Sequence, residues 1–303
     1  MSALRELAPA KINLGLTLGP VRDDGRHRLV TVMQPVALCD SLELLPAELG
    51  SSGDQTFCPG VEGENLVDRA VAGFRSASGW RGAPVRIEII KKIPVAAGMA
   101  GGSADAGAAL RLLSRVSGIA DQEMLMSVAR ELGADVPGQL RPRRYLASGA
   151  GEELRALPEA APFGILVVPS DHGLSTADVF AEADRLSLPR SVAELESRQA
   201  ELVGALAAGA PFAPPELLVN DLEPAAVSLA PELAWTLDEV RGAGAHDALV
   251  CGSGPTVIGL FGDLDGARGA ALALSGRTPA PFAVEPWYPT VMPDANTDGA
   301  TSK

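Results

Sequence analysis

Three separated groups of residues have the types and spacing to do chemistry on a phosphate. The first is Pro94-Val95-Ala96-Ala97-Gly98-Met99-Ala100-Gly101-Gly102-Ser103-Ala104-Asp105-Ala106, where three glycines and five alanines remove side-chain bulk. A β-type run from Val85 to Ile93 enters it, and a helix-type run from Ala106 to Val116 leaves it. Such a turn brings backbone close to a ligand and sets Ser103 among free N–H groups at the positive end of a helix. That construction cradles phosphate. It lacks the Gly-Lys-Ser/Thr of a Walker loop and the Gly-x-Gly-x-x-Gly of a dinucleotide fold. With no Lys or Arg from Val95 to Leu110, any grip on phosphate is expected to come from backbone. The alternative is a tight strand-to-helix turn that only needs small residues. Asp105 reads as a first-turn acid favoured by the helix dipole.

The second group is Leu132-Gly133-Ala134-Asp135-Val136-Pro137. Asp135 lies between a helix-ending glycine and a proline, on a rigid loop where a carboxylate can accept a hydroxyl proton. It can equally cap a following helix. The third is Lys11 on the polar face of an alternating run, which taken alone reads as a solvated cation.

The elements that must position these groups follow from periodicity. Ile12, Leu14, Leu16 and Leu18 alternate with Lys11, Asn13, Gly15 and Thr17, a period of two that predicts a half-buried strand. Arg22-Asp23-Asp24-Gly25 is a turn signal, and the β-type run from His27 to about Leu45 completes a hairpin. Residues 46–64 read as a loop, Asn65 to Ser78 as a helix ended by Gly79, and Gln122 to Leu132 as a helix ended by Gly133. Tyr145 to Leu157 reads as a short hairpin through Gly149 to Gly151. A new strand at Phe163 to Pro169 marks a domain boundary. Beyond it come helices over 191–208, 220–226, 231–242 and 265–274. Strands at Ala248 to Cys251 and Thr256 to Phe261 flank Gly252-Ser253-Gly254-Pro255, which reads either as a substrate-side backbone or as an ordinary tight turn. The expected units are residues 1–158, residues 159–288 and a disordered polar tail, 289–303.

Composition narrows the function. The formal charge of −13 opposes nucleic acid and anionic membranes. Cys39, Cys58 and Cys251 are odd in number and far apart, which fits a reducing compartment better than a disulfide framework or zinc site. The three histidines are dispersed, and no apolar run reaches membrane-spanning length. Arg5, Glu6 and Lys11 interrupt any signal-peptide core, so a cytoplasmic location is expected.

Pro9-Ala10-Lys11-Ile12-Asn13-Leu14, the glycine loop, Leu132 to Pro137 and Gly252 to Pro255 together resemble the GHMP kinase superfamily, over about Ala8 to Phe261. Asp24-Gly25-Arg26-His27, Glu64-Asn65-Leu66, Gly149-Ala150-Gly151 and Leu174 to Phe180 support the match. The resemblance implies an α/β (α+β) two-domain fold: a ribosomal-protein-S5-like N-terminal domain, a ferredoxin-like C-terminal domain and an active site between them. It also implies ATP-dependent phosphorylation, with Mg²⁺, of a small alcohol. The specific motifs point to the 2-hydroxyl of 4-diphosphocytidyl-2-C-methyl-D-erythritol, in the non-mevalonate isoprenoid pathway. Lys11 and Asp135 become the catalytic pair, Lys11 holding Asp135 ionised and stabilising developing charge. Pro94, Val95, Ala96, Ala97, Gly98, Met99, Ala100, Gly101, Gly102, Ser103 and Ala104 become the ATP-phosphate segment, with Ser103 near Mg²⁺. Asn65 falls near adenine, although it fits a helix N-cap equally well. Asn13, Arg26, His27, Thr176 and Phe180 fall on the acceptor side. Arg26 replaces the family's tyrosine at one face of the cytosine, Phe180 covers the other, and His27 meets the base edge. Gly138-Gln139 replaces the family's aromatics, which puts the grip on cytidine in question. The competing readings are another small-alcohol kinase of this type, such as one acting on mevalonate or homoserine, a catalytically inactive nucleotide-binding relative, and a nucleic-acid module.

Overall fold

A computed structural model describes residues 4–288, apart from 49, 52, 62 and 96. The tail expected to be disordered, 289–303, lies outside the described residues, as does Ala96 of the glycine loop.

The first half is built on one long hairpin. Strand β1 (Leu4–Val21) pairs antiparallel with β2 (His27–Pro46). Both faces of β1 are buried from Ala8 to Gly19, so the polar face carrying Lys11, Asn13 and Thr17 is interior rather than solvated. The register slips between Pro9 and Lys11, where Pro9 pairs with Cys39 but Lys11 with Pro35. A slip of this kind bends a strand and re-aims its side chains. Here it frees the Lys11 N–H to donate to the Met99 carbonyl oxygen at 3.1 Å, tying the strand to the glycine loop.

Strand β3 (Gln55–Phe57) lies parallel to β4 (Val85–Ile90), and between them runs α1 (Leu66–Ser78). Asn65 caps α1 by accepting from the Val67 N–H, and Gly79 closes it in the left-handed conformation. Helix α2 (Gly101–Ser117) begins five residues earlier than its apolar period indicates, so the end of the glycine loop forms its first turn. Its buried face is mostly alanine, leucine and glycine, which lets neighbouring backbone approach closely. Helices α3 (Gln122–Leu132) and α4 (Val136–Gln139) lead into the hairpin β5 (Tyr145–Ser148) and β6 (Glu153–Ala156). The sheet runs β3-β4-β2-β5-β6, with β1 also on β2.

The second half opens with β7 (Gly164–Val168) and continues through α5 (Thr176–Arg185), α6 (Val192–Leu206), a 3₁₀ turn at Pro215–Leu217, α7 (Glu223–Leu229) and α8 (Glu232–Gly242). Then come β8 (Asp247–Val250), β9 (Val257–Phe261), α9 (Leu264–Ala273) and β10 (Phe282–Val284). These four strands form an antiparallel sheet ordered β10-β7-β9-β8, the ferredoxin-like order. The expected two-domain α/β architecture is therefore present. Absent from the sequence reading are β3 and β10, each three residues long, α5 and the 3₁₀ turn, while α4 appears there only as a helix that Asp135 could cap.

The two halves share a core. One apolar cluster joins Ile12, Leu14 and Leu110 of the first half to Ile165, Leu202 and Ile258 of the second. Backbone crosses the junction as well. Leu16 N–H donates to the Val219 oxygen and Asp221 N–H to the Leu16 oxygen, each at 2.8 Å. The chain then returns to β2, where Ala37 N–H donates to the Glu285 oxygen and Trp287 N–H to the Pro35 oxygen.

Candidate active site

A cavity of about 930 Å³ opens where these elements meet, lined by residues of both halves. Strand β1 supplies Lys11 and Asn13, and the turn between α3 and α4 supplies Asp135. Lys11 Nζ lies 3.5 Å from Asp135 Oδ2 and donates to Asn13 Oδ1 at 2.8 Å. Asn13 Nδ2 donates in turn to Thr31 Oγ1 at 2.9 Å, and the Thr31 hydroxyl donates to the Gly15 oxygen at 2.6 Å. This chain of bonds holds a buried ammonium in place, with Lys11 6% exposed. Asp135 sits at the N-cap position of α4, yet its side chain makes no capping bond. The carboxylate is turned to Lys11 instead.

The glycine loop forms a second wall. Pro94, Val95, Ala97, Gly98, Met99, Ala100, Gly101 and Gly102 line the cavity. Ala100, the N-cap residue of α2, is held at φ +56° and offers no side-chain cap, so the first-turn N–H groups receive none. Gly98, at φ +71°, has room for no side chain: a Cβ there would stand 2.9 Å from the Cys251 oxygen and 3.0 Å from the Gly254 oxygen. Gly252 of the same turn approaches Asn13, whose Oδ1 would be 3.1 Å from an added Cβ. The Gly252 to Pro255 turn is thus packed against both the loop and the Lys11 support, and Gly252 and Ser253 line the cavity. Gly101 and Gly102 differ. The absent side chain of Gly101 faces Ile93 and Lys91, whereas that of Gly102 faces open space. Ser103 and Ala104 do not line the cavity. Ala104 is fully buried, with its N–H bonded to the Ala100 oxygen. Asn65 both caps α1 and lines the cavity.

A cluster beneath the loop was missed by the sequence reading. Lys91 lines the cavity and pairs with both Asp40 and Asp105, the latter at 2.7 Å. Asp40 also accepts from the N–H groups of Lys92 at 2.5 Å and Ile93 at 2.8 Å, fixing the chain as it enters the loop. Burial raises the Asp105 pKa to about 7 against the pull of Lys91. Burial also works against the Lys91 cation, but the two carboxylates outweigh it and its pKa lies above the ordinary lysine value. Asp105 is therefore more than a helix-dipole acid. The available signals were an acid within the apolar run of β2 and a lysine pair at the end of β4.

The acceptor-side residues collect at the other end. His27, Arg26, Thr176 and Phe180 line the cavity with Asn13. His27 and Phe180 rings lie 5.4 Å apart at 39°. His27 Nδ1 donates to the Gly19 oxygen at 2.9 Å, and its Nε2 lies 3.3 Å from Asp184 Oδ2. Both ring nitrogens thus have neighbours within the protein, Nδ1 the closer of the two. Arg26 forks onto Asp24 at 2.9 and 3.1 Å on the hairpin turn. Thr176 and Ser253 hydroxyls are 3.0 Å apart. Gly138 and Gln139 do not line the cavity: Gly138 packs near Met33, Tyr145 and Leu154, and Gln139 lies against Gly107 of α2. Their departure from the family pattern is a packing feature.

Among the described residues no group of three His, Cys, Asp or Glu side chains could hold a metal, and no helix is long and apolar enough to cross a membrane.

The family model of the GHMP kinases N terminal domain matches residues 65–141, and that of the GHMP kinases C terminal domain matches residues 191–279. With the two sheets and the cavity at their junction, these define a two-domain GHMP kinase. A 4-diphosphocytidyl-2-C-methyl-D-erythritol kinase of Nocardioides sp. is 42% identical over 277 residues, covering 89% of this chain and 92% of its own. One of Streptomyces avermitilis is 42% identical over 271 residues, covering 88% and 90%. A crystal structure of 4-(cytidine 5'-diphospho)-2C-methyl-D-erythritol kinase superposes with a TM-score of 0.76 at 33% identity, over 93% of this chain and 99% of that one. Homoserine kinase from Cytophaga hutchinsonii, at 18% identity and a TM-score of 0.70 over 95% of both chains, shares the fold. This chain belongs to the 4-diphosphocytidyl-2-C-methyl-D-erythritol kinase family of the GHMP kinases.

Proposed function

We propose that this protein transfers the γ-phosphoryl group of ATP to the 2-hydroxyl of 4-diphosphocytidyl-2-C-methyl-D-erythritol, in the cytoplasm, for isoprenoid precursor synthesis. The observation that carries this reading is the buried Lys11 beside the half-buried Asp135, in a cavity walled by the glycine loop and by His27 and Phe180. Asp135 accepts the hydroxyl proton as the oxygen attacks the γ-phosphorus. The bond from that phosphorus to the bridging oxygen breaks, and ADP leaves. Lys11, already oriented by Asn13, stabilises charge on the moving group.

The backbone at Gly98 to Gly102 takes the ATP phosphates, and Asn65 stands at the adenine end. Residues 1–158 supply the nucleotide site and the catalytic pair, and residues 159–288 supply Thr176 and Phe180 to the acceptor site. Mg²⁺ favours phosphates plus one or two protein oxygens over an all-protein cage, and Asp135 lines the cavity as such an oxygen donor. That carboxylate would hold the ion, and the ion would neutralise phosphate charge. Cytosine lies against Phe180, with the His27 ring beside it as a held wall, and Arg26 can leave Asp24 to cover the second face.

An ADP-release assay over a panel of alcohols tests the reaction. Turnover of the cytidyl diphosphate substrate and not of mevalonate or homoserine is expected, and the reverse would overturn the reading. Phe180→Ala should weaken the cytidyl substrate by roughly 1–3 kcal/mol, the worth of a base stack. Arg26→Tyr should keep or improve its affinity.

A further inference from the structure

Helix α5 places Phe180 and Asp184 four residues apart, hence on one face, and that face grips His27 from the opposite half of the molecule. The Phe180 ring lies against the imidazole, and Asp184 Oδ2 meets Nε2 at 3.3 Å. A third contact fixes the ring. The Gly19 carbonyl and the Asp184 carboxylate can both only accept, so the 2.9 Å contact places a proton on Nδ1 and the 3.3 Å contact is a hydrogen bond when Nε2 carries one as well.

The helix itself does not account for Asp184. A carboxylate in the last turn faces the negative end of the dipole and is disfavoured there. Arg185 pairs with Glu182, and among the described residues His27 is the partner of the Asp184 carboxylate. His27 is 7% exposed and the Asp184 side chain is about half exposed, so the contact stands at the solvent edge of the site.

We propose that Asp184 is a positioning residue for the acceptor site: its contact with His27 Nε2 holds the imidazole against Phe180 and sets the spacing between β2 and α5. This rests on the reading that His27 and Phe180 border the cytosine. The role is one of binding, remote from the phosphoryl transfer at Lys11 and Asp135.

The test is titration with cytidine 5'-diphosphate, alongside steady-state kinetics of the full-length enzyme. Asp184→Ala should raise the CDP Kd and the KM for the cytidyl substrate about five- to tenfold, the net worth of one side-chain hydrogen bond. Its kcat and its KM for ATP should stay at wild-type values. Asp184→Asn should restore much of the loss, because its side-chain amide can accept from Nε2–H through Oδ1 or donate through Nδ2 to an unprotonated Nε2. Combining Asp184→Ala with His27→Ala should be no worse than His27→Ala alone. Unchanged CDP affinity in Asp184→Ala, with losses in His27→Ala and Phe180→Ala, would overturn the positioning role and leave the acceptor-site reading intact. Unchanged affinity in all three would overturn both. An Asp184 effect that persists without His27 would assign the residue to a different partner.

Discussion

Two carboxylates surround one ammonium at Lys91, so Asp40 and Asp105 together exceed the charge that the lysine can neutralise. Burial makes Asp105 the one that keeps its proton, with a pKa of about 7 against roughly 4 for an ordinary aspartate. The folded protein thus holds this proton more tightly than the unfolded chain does. The stability that Asp105 contributes is fully present below about pH 4 and is lost as pH rises through about 7. Urea unfolding should therefore show Asp105→Asn gaining on wild type across that window. A constant gap would mean that Lys91 fully offsets the burial. The catalytic pair makes a different prediction. Lys11→Met and Asp135→Asn should each lower kcat by roughly 10²–10⁴-fold, the range for a lost general base or charge stabiliser, while leaving cooperative unfolding intact. Near-normal ADP release from either variant would remove the pair from the chemistry.

Among the elements, the glycine loop and α2 separate two uses of glycine. Gly102 faces open space on the cavity side, so Gly102→Val should raise the KM for ATP and barely change stability. Gly107 faces the other way. A Cβ there would lie 2.6 Å from that of Gln139, so Gly107→Ala should cost about 1–3 kcal/mol of stability by overpacking, with the KM for ATP unchanged. Paired thermal unfolding and ATP titration would check both, and a Gly102→Val protein with normal ATP affinity would place the phosphates elsewhere. The entry to the loop is held by Asp40 on the N–H groups of Lys92 and Ile93, so the strand before the loop is as much a part of it as the glycines.

For the molecule as a whole, the junction between the halves is also the site. Asn220 donates to the Val250 oxygen at 2.8 Å and to the Gly252 oxygen at 2.7 Å, while Asp221 accepts from Leu18 N–H and from Arg190. Asn220→Ala leaves those two carbonyls without their donor and should cost roughly 1–3 kcal/mol. Because apolar side chains of both sheets share one core, far- and near-ultraviolet circular dichroism should report a single transition in urea for wild type and variant alike. Two separated transitions would mean that the halves unfold independently.

Local patterns in the sequence were enough for β1 and β2, for the caps at Asn65, Gly79 and Gly133, and for the placing of the glycine loop between a strand and a helix. Periodicity and capping act within a few residues, so a chain read alone carries them. Strands β3 and β10 are too short to show any period and exist through the ladder partners that β4 and β7 offer. The pairing of Lys11 with Asp135 depends on the register slip after Pro9, and the cluster of Lys91, Asp40 and Asp105 on three elements meeting. The grip of Phe180 and Asp184 on His27 depends on how the second half docks on the first. Resemblance to known kinases linked Lys11 to Asp135, but not the buried acids or the engaged histidine. Burial and long-range contact made those, since they are properties of the packed chain and not of any segment of it.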